Sequence, residues 1–176
     1  TSMSVRGGAM HVMMHAVGKI TLFFCAGAIY TRAHKTEISQ MDGLGRKMPL
    51  TFLAFFIGAL SIIGLPPCGG SWSKWYLMLG AADAGQYAMI AVLMISSLMN
   101  VAYLLPIPVR AFFRPPAGGE TTPTAPGQET PGWRFSLKDE ASPLCVLPPV
   151  LTALGCIALF FLAPWLMEWM NRIPLR

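Results

Sequence analysis

Four proton-binding side chains lie inside otherwise apolar sequence: His11, His15, Lys19 and Lys74. Three of them recur every fourth residue in HVMMHAVGK, residues 11–19. On a helix, each step of four turns the position by about 40° and climbs about 6 Å, so His11, His15 and Lys19 form one stripe. Imidazole titrates near neutral pH and can both accept and donate a proton. Lysine exchanges its proton readily once it is desolvated. A His-His-Lys ladder bridged by water is therefore a proton wire. Each member also has a plainer role. A single intramembrane His commonly hydrogen-bonds a neighbouring helix, and a Lys near a span's end snorkels to the surface. Lys19 lies mid-span, which disfavours snorkelling. A metal-transport role for His11 and His15 is weaker still, because no Asp, Glu or Cys shares their stripe and metal sites need more than two ligands.

The elements that must position these groups are membrane helices. Hydrophobic residues make up 54% of the 176-residue chain and charged residues 12%, about half the charged share of a soluble domain. Residues 9–30, 49–82, 86–113 and 143–170 each hold roughly the 20 apolar residues that a spanning helix needs. The expected fold is all-α and integral to the membrane, with about four spanning helices. Residues 1–113 hold the first three spans (9–30, 49–82 and 86–113). Residues 114–142, rich in Pro, Gly and Thr in their first half, read as a flexible loop in which WRFSLKDE forms an interfacial segment. Residues 143–176 supply the final helix and tail, with Trp165 and Trp169 as an interfacial belt. The first apolar run carries His11, His15 and Lys19, and no cleavage-site pattern follows it, which argues against a signal peptide.

The second span is too long to be one straight helix. Thirty-odd residues would run about 50 Å, against a hydrocarbon core of about 30 Å. Its middle reads Leu65-Pro66-Pro67-Cys68-Gly69-Gly70. Pro66 and Pro67 remove two amide donors, and Gly69 and Gly70 relax the backbone. The sequence predicts a break there, with helices over 50–64 and 71–82. Irregular backbone at membrane depth is tolerated only where protein or a watery cavity satisfies it, and in transporters such breaks sit at ion or substrate sites. Lys74 falls about one turn into the second half. Ser73 and, on the third span, Asn100 read as polar support.

The net charge of +5 does not indicate a nucleic-acid partner, because its placement follows membrane topology. Arg32, Lys35, Arg46 and Lys47 share one loop, and Arg110, Arg114, Arg134 and Lys138 share another. Arg6, Arg172 and Arg176 lie at the other ends of the spans. The eight should face the cytoplasm, and both termini the opposite side. Lys19 and Lys74 remain inside spans, where a charged lysine costs about 2.5–3.5 kcal/mol on the insertion scale. No acidic residue accompanies them there. Cys25, Cys68, Cys145 and Cys156 are scattered, with no metal-binding spacing. They read as small buried apolar residues.

HAVGKITLFFCAGAIY, MDGLGRKMPLT and GALSIIGLPPCGGSWSKW, in that order, resemble the antiporter-like membrane subunits of respiratory complex I and of Mrp-type multisubunit sodium/proton antiporters. The wording is nearest to the D subunit of the Mrp type, and SSLMNVAY extends the likeness toward residue 103. Gly70-Ser71 departs from the family's usual Gly-Phe, and Gly18 stands where a bulkier residue is common. The resemblance implies that Lys19 is a central-axis lysine, that His11 and His15 link to it, and that Lys74 is the lysine of a broken helix. It also implies that residues 1–113 are the C-terminal part of a domain built from two inverted repeats, in a bacterial cytoplasmic (inner) membrane. The expected partners are lipid, other membrane subunits and protons, with sodium as a further cargo. No cofactor and no covalent chemistry are expected. The host is either a cation/proton antiporter or an NADH-quinone oxidoreductase-like complex. The alternative is a structural, non-conducting membrane fragment.

Overall fold

The computed structural model describes residues 1–115 and 140–172. Most of the expected 114–142 loop, including Arg134 and Lys138, lies outside the described residues, as does Arg176. The chain order is α1 (Ser2–Ala33), a 3-10 turn (Ile38–Met41), α2 (Leu44–Lys47), α3 (Pro49–Ile63), α4 (Gly70–Asp83), α5 (Tyr87–Leu104), α6 (Pro106–Phe113) and α7 (Pro143–Asn171). No strand occurs among the described residues. α1, α5 with α6, and α7 are long and apolar enough to cross a membrane, and α3 is a shorter apolar helix. At 15 residues, α3 measures about 22 Å, short of a bilayer core. α3 and α4 together make the interrupted second span.

The order of contacts along α1 shows how they do so. Thr1 and Ser4 meet Gly80, Gly7 meets Tyr76 and Leu77, and His11 meets Ser73. Further along, Gly18 meets Ser61 and Ile62, and Thr21 meets Gly58. Near its end, Ala28 and Ile29 cluster with Met48 and Phe52. α4 and α3 are thus laid end to end along α1, running opposite to it. α7 runs opposite to α1 as well: Met10 and Met14 pack with Ala163 and Met167, and Val17 faces Gly155. The buried face of α1 is Gly7, Met10, Met14, Gly18, Thr21, Cys25, Ala28 and Ile29. Small residues recur there because lipid supplies no hydrophobic drive between helices, so backbones must approach closely to gain packing contacts.

Two boundaries differ from the sequence expectation. α1 begins seven residues before Ala9. The Thr1 hydroxyl accepts from the Ser4 amide, which meets one orphan donor of the first turn, and the added turns are held against α4. The break is at 64–69, because α3 stops at Gly64, whose φ of 89° only glycine adopts without strain. The amides of Gly64 and Leu65 both donate to the Leu60 carbonyl, at 2.9 and 3.0 Å, closing the helix in a left-handed cap. Pro66 and Pro67 lie within the break, as expected. Gly69 and Gly70 do not relax the backbone: Gly70 is the first residue of α4, and Gly69 has a right-handed helical backbone. They supply space. A side chain on Gly70 would collide with the Ser61 carbonyl, and one on Gly69 with Leu159 of α7.

At the other end, the loops after α1 and after α5 come together. Arg110 Nε donates to Asp42 at 2.8 Å, with Arg114 3.8 Å away. Arg46 Nε donates to the Phe112 carbonyl. Glu140 accepts from the amides of Leu50 and Thr51 at 3.1 and 3.2 Å, so a carboxylate meets the positive end of α3. Arg32, Lys35, Arg46, Lys47, Arg110 and Arg114 therefore share one end of the bundle, opposite Arg6 and Arg172, as alternate spans require.

Gly70→Ala should lower the unfolding midpoint in detergent, at the roughly 1–3 kcal/mol typical of overpacking. Gly8→Ala and Gly27→Ala, where nothing lies within 4 Å, should leave it unchanged or slightly raised. The Arg110 hydrogen bond holds the Asp42 carboxyl below the usual carboxylate range. Its contribution is therefore fully present above the unfolded pKa, about 3.9, and is lost as pH falls through the lower folded value. Asp42→Asn should lower the melting midpoint at neutral pH, and the gap to wild type should close through that acidic window.

Candidate functional site

The site forms where α1 passes the α3–α4 break and α5 covers it. Lys74 points back from α4 into the break. Its Nζ donates to the Ile62 carbonyl at 3.0 Å, the Ile63 carbonyl at 2.7 Å and Ser97 Oγ at 2.8 Å. All three ammonium protons are thereby used. The carbonyls of Ile62 and Ile63 belong to the last turn of α3, whose C=O groups have no intrahelical partner and carry the negative end of the helix dipole. Ser97 donates its own proton to the Leu93 carbonyl at 2.9 Å, so it offers Lys74 only lone pairs. Lys74, Ser97 and Ser71 are the polar side chains in a mainly apolar cleft of about 630 Å³ between the break, α4 and α5. The sequence reading singled out Lys74 but missed Ser97 and the two carbonyls as its partners.

The His11, His15, Lys19 stripe is present but not uniform. His11 Nδ1 lies 3.0 Å from Ser73 Oγ, and the His11 and His15 ring centres are 5.4 Å apart. Both histidines are half-buried, whereas Lys19 is exposed and has no hydrogen-bond partner among the described residues. The cause is the neighbouring helix. Each stripe residue follows a buried position, Met10, Met14 or Gly18, so the stripe keeps its place beside the seam. At the level of His11 the neighbour is α4, and Ser73 meets it; at the level of Lys19 α1 has passed the break and faces α3 at Ser61 and Ile62.

Lys19 and His15 line a second cleft, of about 460 Å³, with Asn100 and Tyr103 on its α5 wall. Asn100 Oδ1 accepts from the Tyr103 hydroxyl, so its bond lies within α5. Ser97, Asn100 and Tyr103 follow one another a turn apart on α5, from the Lys74 cradle to the Lys19 cleft. Sequence spacing carried the neighbouring of each i, i+3 pair, but not what the residues face. No group of three His, Cys, Asp or Glu residues able to hold a metal occurs among the described residues. Cys25, Cys68 and Cys156 are buried, Cys145 is partly so, and all four are free thiols.

An all-α bundle with an interrupted span, and a lysine seated in the interruption, is an integral membrane architecture. The family described as "NADH:quinone oxidoreductase/Mrp antiporter, TM" matches residues 1–100, and the chain belongs to it. NADH-quinone oxidoreductase subunit N of Desulforudis audaxviator is 37% identical over 160 residues, 89% of this chain and 31% of the relative. The D-type subunit of the Na(+)/H(+) antiporter of Alkalihalophilus pseudofirmus is 31% identical over 113 residues, 64% of this chain and 23% of the relative. A chain in the structure of the Mrp complex from Dietzia sp. DQ12-45-1b matches with a TM-score of 0.78 at 25% identity, over 97% of this chain and 37% of that one. The chain therefore spans 23–37% of the length of these relatives.

Ser97→Ala should leave one Lys74 proton without its acceptor and loosen α5 over the break. The expected readout is faster acylation of the Lys74 amine, scored by mass spectrometry. Ser96→Ala, at an exposed position, should leave the rate unchanged.

Proposed function

We propose that this chain is a proton-translocating part of a membrane subunit in a multisubunit complex, either a cation/proton antiporter or an NADH-quinone oxidoreductase-like assembly. Protons move along an axis of Lys74, His11, His15 and Lys19. The observation that carries this reading is the Lys74 cradle, an ammonium held inside a broken span by dipoles alone. Intramembrane ionisable groups are costly and mark ion or proton pathways. Family membership and the placement of His11, His15 and Lys19 beside the break support it. No covalent bond is made or broken, and each step transfers a proton between side chains or through water. Residues 1–113 supply the C-terminal part of the conducting domain. The helix Pro143–Asn171 closes the bundle. Other membrane subunits supply the remaining helices, in a bacterial cytoplasmic membrane, with sodium as the counter-ion in the antiporter case.

The second reading is a non-conducting structural segment, favoured by one observation: Lys19 has no partner among the described residues. One measurement separates the readings. In the complete assembly, Lys74→Ala and Lys19→Ala should each reduce proton flux by at least about tenfold, the scale of losing a positioned proton-transfer group. Unimpaired flux in both would overturn the proposal. The chain alone in liposomes should take up few protons under either reading.

A further inference from the structure

Ser73 is fully buried and touches two groups. It donates its hydroxyl proton to the Gly70 carbonyl at 3.1 Å, an atom that can only accept. Its oxygen therefore meets His11 Nδ1, 3.0 Å away, with lone pairs only. The hydrogen bond requires a proton on Nδ1. We infer that Ser73 is a positioning residue that holds neutral His11 as the Nδ1–H tautomer and leaves Nε2 as its proton-exchanging atom.

The consequence is directional. Which nitrogen carries the proton is set by the bond the other makes. A proton arriving at His11 binds the Nε2 lone pair and gives an imidazolium whose Nδ1–H stays on Ser73. Leaving by Nδ1 would lead only to a hydroxyl already committed to a backbone carbonyl. The proton must depart from Nε2, so Ser73 closes one exit. The same device recurs at Lys74, where Ser97 spends its proton on the Leu93 carbonyl and presents lone pairs to the ammonium. Two serines, one on α4 and one on α5, thus act as fixed acceptors for two titratable groups. Nothing in the bare sequence distinguishes them from packing serines.

This inference rests on the proton-axis reading for its role in transport, but its structural content is tested separately. The full-length subunit, in its complex and in lipid, is labelled with nitrogen-15 in the histidine rings. A His11→Gln variant, whose spectrum loses only the His11 signals, assigns them. At a pH where His11 is neutral, Nδ1 should give the protonated-nitrogen signal and Nε2 the bare one. Ser73→Ala should shift the ring toward the Nε2–H form and lower proton flux by about tenfold, the scale of losing an orienting partner of a histidine. A wild-type ring protonated at Nε2 would overturn the inference, and that measurement needs no variant to fold. An unchanged His11 ring in Ser73→Ala would overturn it too. If Lys74→Ala and Lys19→Ala kept full flux while the tautomer still responded to Ser73, the transport reading would fail and the tautomer assignment would stand.

Discussion

The Lys74 ammonium on the carbonyl end of α3 is the contact on which the rest of the site depends. It joins two features that are each unfavourable in lipid. A helix that stops at membrane depth leaves carbonyls without donors, and each unsatisfied group costs several kcal/mol there. A lysine at the same depth lacks acceptors. Lys74 gives its protons to the Ile62 and Ile63 carbonyls, so each defect becomes the other's partner. The contact fixes several residues around it. Gly64 must turn the chain out of α3, Gly70 must let α4 start against the Ser61 carbonyl, and α5 must bring Ser97 across the break. The cation needs no carboxylate to be held, because oriented dipoles in a low-dielectric setting supply the field.

The break between α4 and α3 explains why two ends of one stripe behave differently. His11, His15 and Lys19 each follow a buried position of α1, Met10, Met14 or Gly18, so the row stays beside the seam along its length. His11 lies level with α4 and meets Ser73. Lys19 lies past the break, where α1 faces α3, and opens into the cleft walled by Asn100 and Tyr103 of α5. The polar groups of the site thus lie on two helices flanking the break.

Much of this was legible in the sequence, and the reasons are local. Four apolar runs, Pro49 at a helix start and the Pro-Pro pair report helices and their interruption through single-residue chemistry. The break was legible to within one residue, 65–70 against the observed 64–69, but not the roles of Gly69 and Gly70. Those two act through space and not through backbone freedom, which depends on which helix passes nearby. Ser97 was illegible for the same reason. Its role comes from an α5 register that places it over the break, and spacing within α5 does not contain that. The near absence of intramembrane acids suggested that Lys74 had no negative partner. Counting side chains overlooked the backbone, whose carbonyls are not written as letters.

The two lysines therefore pose different electrostatic problems. Lys74 is held by three acceptors that do not titrate, two carbonyls and a serine hydroxyl. Lys19 lines an open cleft, and whatever answers its charge is water or a group beyond the described residues. A relay needs that asymmetry. If both ends were held by fixed dipoles, a proton would have no reason to favour one lysine over the other as conditions change. In the proposed relay, the balance between the lysines is set at Lys19, with His11 and His15 passing protons between them. The bond from Ser73 to His11 is consistent with this division, since it removes a choice from the relay and leaves the direction of transfer to the charge around Lys19.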